Sequence, residues 1–229
     1  MVRGNAELRA ARSEQALSWA NAHEPPSIRV MWLKGAAIRP VPGYAVVTSQ
    51  CLERAERQLA SDAPRARDQI DAAFARFEST QPHLAQAVSD VLSQSLDDTA
   101  LALGYFLSIA IWLAFDHTFG QKRMREVSRD AIEATGAAID LEEELRATLG
   151  GQPLDLDDIV SGEQPAILAF VHRHVDAAPP PTLRTAREGR DPQEDIGSVY
   201  RVVVLLILCL SHAVVPVEGA SRLSEELLA

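Results

Sequence analysis

Thr99–Phe115 reads TALALGYFLSIAIWLAF, seventeen consecutive residues without a charge, and Val202–Leu210 reads VVVLLILCL, nine more of the same kind. Apolar runs of this length belong in a protein core or in a bilayer. A spanning helix needs about 20 apolar residues, so the first run falls short and the second is under half the length. Arg201 stands directly before the second, and Asp97, Asp98 and Asp116 flank the first where basic or aromatic anchors would be expected. The expectation is two long helices buried inside a soluble, cytoplasmic protein, with no membrane partner.

The rest of the chain supports helices around them. Aromatic residues make up only 5% of the chain while Ala, Leu and Arg abound, a mixture that favours helix over sheet. Ser49 is placed to cap a helix over 50–60, and Pro64 sits in the first turn of one over 63–79, with Ile70, Ala73, Phe74 and Phe77 on one face. Further helices are expected over 82–95, 97–117, 121–149 with a break near Gly136, 164–177 and 192–214, plus a short turn in LDLDDIV. The fold class is all-α, a helical bundle.

Two segments start alike. Residues 80–92 read TQPHLAQAVSDVL and residues 163–175 read EQPAILAFVHRHV. Proline suits the first turn of a helix because its missing N–H would be unpaired there anyway. Thr80 is the expected cap of the first helix, and Ser161 that of a turn leading into the second. In register, Leu84, Val88, Val91 and Leu92 match Ile167, Val171, His174 and Val175, one apolar stripe repeated. At an offset of 95, Tyr105 meets Tyr200, Leu113 meets Leu208 and His117 meets His212. The halves agree in spacing once the twelve residues Pro179–Arg190 are read as an inserted loop. These matches predict an internal repeat, 77–119 and 160–214, forming two pseudo-symmetric helical hairpins with 121–149 as the crossover.

Before Ser49 the pattern breaks. Residues 25–49 contain four prolines and two glycines, which preclude a long helix and leave Ile28–Leu33 and Tyr44–Thr48 as β-like runs in a hairpin or extended arm. The expected organisation is an N-terminal helix and arm over 1–48, a helical domain over 49–217 and a short tail over 218–229. Residues 1–52 carry +3 within a chain of net charge -10. That makes the arm a candidate for docking on an acidic helical surface, its own or a second subunit's. The overall acidity argues against nucleic acid as a partner.

Chemistry is sparsely signalled. Cys51 and Cys209 do not form a disulfide framework, and no apolar leader precedes the first helix. His172 and His174 lie two apart, so on a helix they point about 200° away from each other and cannot share an ion. The acids Asp140, Glu142, Glu143 and Glu144, and Asp155, Asp157 and Asp158, lack calcium-loop spacing and read as solvated faces. KRMREVSR (Lys122–Arg129) is a basic run expected at a solvent-facing helix start, a candidate partner contact. No catalytic, metal or cofactor-binding residue is nominated outright. The primary expectation is a non-enzymatic interaction or regulatory module, with a protein partner or self-association as a homodimer. One alternative is a small-molecule sensor with a pocket lined by Tyr105, Trp112 and Tyr200. The other is an enzyme in which symmetry brings His117, His212 and Asp116 to one pole.

Overall fold

The computed structural model describes residues 37–59, 63–93, 96–148, 162–178 and 192–217. Contacts divide the chain after Ala36, and every described residue belongs to the unit that begins at Ala37. The described part is 79% helical, with seven helices and no strands, and is an all-α helical bundle. The helices are α1 (Ser49–Leu59), α2 (Ala63–Thr80), α3 (Pro82–Leu92), α4 (Asp98–Phe119), α5 (Arg129–Thr148), α6 (Pro165–Ala177) and α7 (Pro192–Ala213). The expected Ile28–Leu33 run, the LDLDDIV turn, the loop over 179–190 and the tail lie outside the described residues.

The two apolar runs pack against each other. α4 and α7 share the most extensive helix–helix contact, with α1, α2, α3 and α6 also against α4 and α3 and α5 against α7. Leu107, Ile109, Ile111 and Leu113 are fully buried on α4; on α7 Val203, Leu206, Ile207 and Leu210 are fully buried and Val202 and Val204 nearly so. Both helices are long and apolar enough to cross a membrane by length and composition, and 61% of each apolar window is buried inside the protein. Packing is tight at Gly104: a Cβ there would stand 2.5 Å from Leu92 of α3 and 3.6 Å from Val199 of α7.

Helix boundaries follow local chemistry. Asp97 caps α4, its carboxylate accepting from the Ala100 N–H at 2.6 Å, while the Asp97 N–H donates to Asp195 of α7 at 3.2 Å. α4 ends at Gly120, whose φ of 66° is a conformation that a Cβ disfavours. The expectation of a helix from 121 is therefore corrected: 121–128 form a turn and an extended segment, and α5 starts only at Arg129. Ser128 caps it, its hydroxyl accepting from the Ala131 N–H at 3.3 Å. α5 then runs unbroken through Gly136, where a methyl group would meet nothing.

Thr80 is not the cap of α3. It is the last residue of α2, and its hydroxyl donates backwards to the Arg76 carbonyl at 2.9 Å. The residue before a proline is pushed out of the helical region, so Gln81 takes φ -139° and ψ 58° and breaks α2 from α3. Gln164 before Pro165 does the same, with φ -131° and ψ 53°.

Candidate functional site

Each of the two Gln-Pro junctions holds a buried polar side chain. Gln81 is 2% exposed and Gln164 fully buried. A buried amide without partners is costly, and each of these finds a pair of backbone groups. Gln81 Nε2 donates to the Arg125 carbonyl at 2.9 Å, and its Oε1 accepts from the Val127 N–H at 2.8 Å. Gln164 Nε2 donates to the Ala45 carbonyl at 2.6 Å, and its Oε1 accepts from the Val47 N–H at 3.0 Å. The carbonyl of one residue and the amide of the residue two further on face the same edge of an extended chain. One primary amide therefore reads an extended tripeptide as a neighbouring strand would.

The held segments are alike too. Val47 and Val127 are buried at 1% and 4% exposure, and each is followed two residues later by the start of a helix, α1 or α5. Leu52 and Leu59 on α1 are buried, as are Ile132 and Ile139 eighty residues on in α5. Ile38, Val41, Ala45 and Val47 join the same hydrophobic core, so residues 37–48 are packed chain, with neither hairpin nor strand. The second segment also carries a short antiparallel bridge, Met124 to Val214, with the Arg125 N–H on the Ala213 carbonyl at 3.0 Å and the Val215 N–H on the Arg123 carbonyl at 2.7 Å. Both apolar helices thus end side by side. Arg123 lies over the Phe119 ring at 5.0 Å and donates to the Val215 carbonyl at 3.1 Å, which puts part of the basic run to structural use.

His117 and His212 sit in separate settings. His117 faces α1, beside the Cys51 backbone and Arg54; burial first, then the Arg54 charge, lowers its pKa, with Asp116 opposing. His212 Nε2 lies 3.4 Å from the Arg39 carbonyl, and burial again lowers its pKa. Asp116 instead pairs with Arg76 at 2.8 Å, and the Arg76 guanidinium lies over the Trp112 ring at 5.4 Å. Among the described residues no group of three His, Cys, Asp or Glu is placed to hold a metal ion.

His174 is a half-buried packing residue, 4.5 Å from the Phe170 ring and 4.8 Å from the Phe106 ring, with Nε2 3.2 Å from Glu56. Burial lowers its pKa, and Glu56 partly restores it. Glu142 is fully buried beside Arg146, at 3.1 Å; Asp140 and Glu143 both pair with Arg201 of α7. Glu144 lies on the same helix, and Asp155, Asp157 and Asp158 lie outside the described residues. Cys209 is buried, and burial pushes its thiol up to about 11.

Tyr105, Trp112 and Tyr200 do not line one described cleft. Tyr105 packs edge-on against Phe74 at 5.6 Å, and Trp112 against Phe77 at 5.5 Å. Trp112 borders a cleft of about 190 Å³ with Thr80, Gln81, Asp116, Gln121 and Met124. A second cleft of about 250 Å³ lies between Ile38–Arg39, the Ala131–Ala138 face of α5, and Leu208 and His212. Both are smaller than the roughly 300–1,000 Å³ of ordinary ligand pockets.

The glutamine bridges were not among the sequence candidates. The signal was present, since Gln stands before Pro in both segments, but helix-start logic accounts for the proline alone. No protein-family model, curated protein or solved structure gives a significant match to this chain.

Proposed function

We propose that this chain is a non-enzymatic protein-interaction module built from two related helical halves, and that it docks a partner on the outer edge of residues 44–48, where the turn at Gly43–Tyr44 opens into extended chain. The observation that carries this reading is the exposure of Tyr44 and Val46, at 44% and 39%, on a segment whose alternate residues Ala45 and Val47 are buried. Gln164 engages the Ala45 carbonyl and the Val47 N–H. Tyr44 ends the turn that the Ala45 N–H closes on the Pro42 carbonyl at 2.8 Å, and beyond it the backbone groups of Val46 point away from Gln164, as alternation along an extended chain requires. A rigidly held extended chain with apolar side chains outward suits strand addition, in which main-chain bonds give affinity and alternate side chains give specificity. The duplication is supported by the matched glutamines, the matched buried positions of α1 and α5, and the register of α4 and α7.

Substituting Tyr44→Asp and Val46→Asp together in the full-length tagged protein tests the reading. Deleting residues 1–48 would be a poorer test, because it would strip both backbone partners from buried Gln164. Recovery of a stoichiometric partner from the native cell is expected to fall at least about tenfold, with helical circular dichroism unchanged. Equal recovery by the variant, or no partner with the unaltered protein, would overturn the proposal.

A further inference from the structure

The two glutamines serve opposite parts of the chain. Gln81 lies before α3 yet holds Arg125 and Val127, which lead into α5. Gln164 lies before α6 yet holds Ala45 and Val47, which lead into α1. With the halves divided in the turn after α4, residues 37–120 and 121–217, each glutamine holds backbone across the division, and Gln164 Nε2 makes one longer contact within its own half, to Ser211 Oγ at 3.4 Å. Other packing crosses it in matched pairs: α1 with α6 and α3 with α5, α3 with α7 and α6 with α4.

We infer that the halves are cross-clamped, so that each half is the binding partner of the other and the chain is an internal dimer closed by two glutamine latches. The inference extends the duplication part of the proposed reading and is independent of the Tyr44–Val46 edge. Each latch recognises the same thing: a carbonyl and the amide two residues on, a buried valine carrying that amide, and a helix start immediately after. Because the amide reads backbone, Ala45-Val46-Val47 and Arg125-Glu126-Val127 fit equivalent latches although only the valine is common. A latch that breaks leaves two backbone groups unpaired, both buried at Gln164 and one buried with one part-buried at Gln81, so it opposes separation of the halves.

The experiment uses the full chain with a specific protease site inserted between the exposed residues Gln121 and Lys122, cut after folding. Native mass spectrometry then follows exchange of one piece for an isotope-labelled copy. The cut protein is expected to remain a 1:1 pair, and Gln81→Leu and Gln164→Leu are each expected to weaken that pair by about 10–100-fold and by similar factors. Should a leucine variant fail to fold uncut, Gln81→Glu and Gln164→Glu serve instead. Their pairs should hold at acidic pH, where the carboxylic acid can still donate, and loosen at neutral pH. Pieces that separate as independently folded bodies would overturn the inference, as would a pair whose affinity ignores either glutamine. Loss of partner recovery in the Tyr44 and Val46 variant, with pairing intact, concerns the docking edge alone.

Discussion

Replacing Gln164 by glutamate changes one donor into an acceptor at a fully buried position. The Val47 N–H keeps its acceptor, but a carboxylate oxygen now faces the Ala45 carbonyl where an N–H stood at 2.6 Å. Losing the bond to a buried carbonyl costs about 1–3 kcal/mol. The buried charge adds a further cost of several kcal/mol unless the group takes up a proton. The protonated acid restores a donor, so the carboxyl introduced by Gln164→Glu should have a folded-state pKa above the usual carboxylate value. In that case the folded state binds more protons than the unfolded state as pH rises from the unfolded pKa to the folded one. Stability should therefore fall over that window and stay low above it. Urea unfolding followed by helical circular dichroism at pH 5 and pH 7.5 measures this. A loss of about 3 kcal/mol at pH 7.5, partly recovered at pH 5, is expected against a total of roughly 5–15 kcal/mol. Gln81→Glu should behave alike. A variant as stable as the unaltered protein at pH 7.5 would refute the reasoning.

Two further outcomes follow from geometry and proton linkage. His117, His174 and His212 all have pKa values lowered by burial in the folded state. Below about 6.5 the unfolded chain binds protons that the fold refuses, so their contribution to stability is intact above that pH and declines as pH falls toward the folded values. Urea midpoints between pH 5.5 and 7.5 should show a shallower slope in His117→Gln/His212→Gln, and an unchanged slope would contradict the assignment. Glycines give opposite signs: Gly104→Val should destabilise by about 1–3 kcal/mol through Leu92, whereas Gly136→Ala should stabilise by about 0.5–1 kcal/mol, since its Cβ meets nothing. Thermal midpoints of the two variants check both.

Much of the helical layout was legible because its causes are local. The charge-free runs had to be buried together, Asp97 and Gly120 bound α4 by cap chemistry, and the prolines after Gln81 and Gln164 fix two helix starts. What escaped was non-local. Residues 121–128 carry a helix-compatible charge pattern, yet a glutamine forty-odd positions away takes their backbone groups and delays the start of α5 to Arg129. Residues 37–48 look like part of a hairpin or extended arm by their prolines and glycine, docked by charge on an acidic helical surface. Their buried residues Ile38, Val41, Ala45 and Val47 are instead drawn into the core, with Gln164 holding the last two. His117 and His212 aligned in sequence, and the structure gives each a different neighbour, Arg54 for one and Arg39 for the other.

The amide hydrogens of Val47 and Val127 test the account most directly. Both belong to non-helical chain, and a mobile loop would exchange them within minutes. If the glutamine side chains hold them as described, native-state hydrogen exchange by NMR will find both protected to the level of the α4 and α7 interior, exchanging only through global unfolding. Rapid exchange at either valine, with α4 and α7 still protected, would contradict the claim that paired buried glutamines fasten these segments to the bundle.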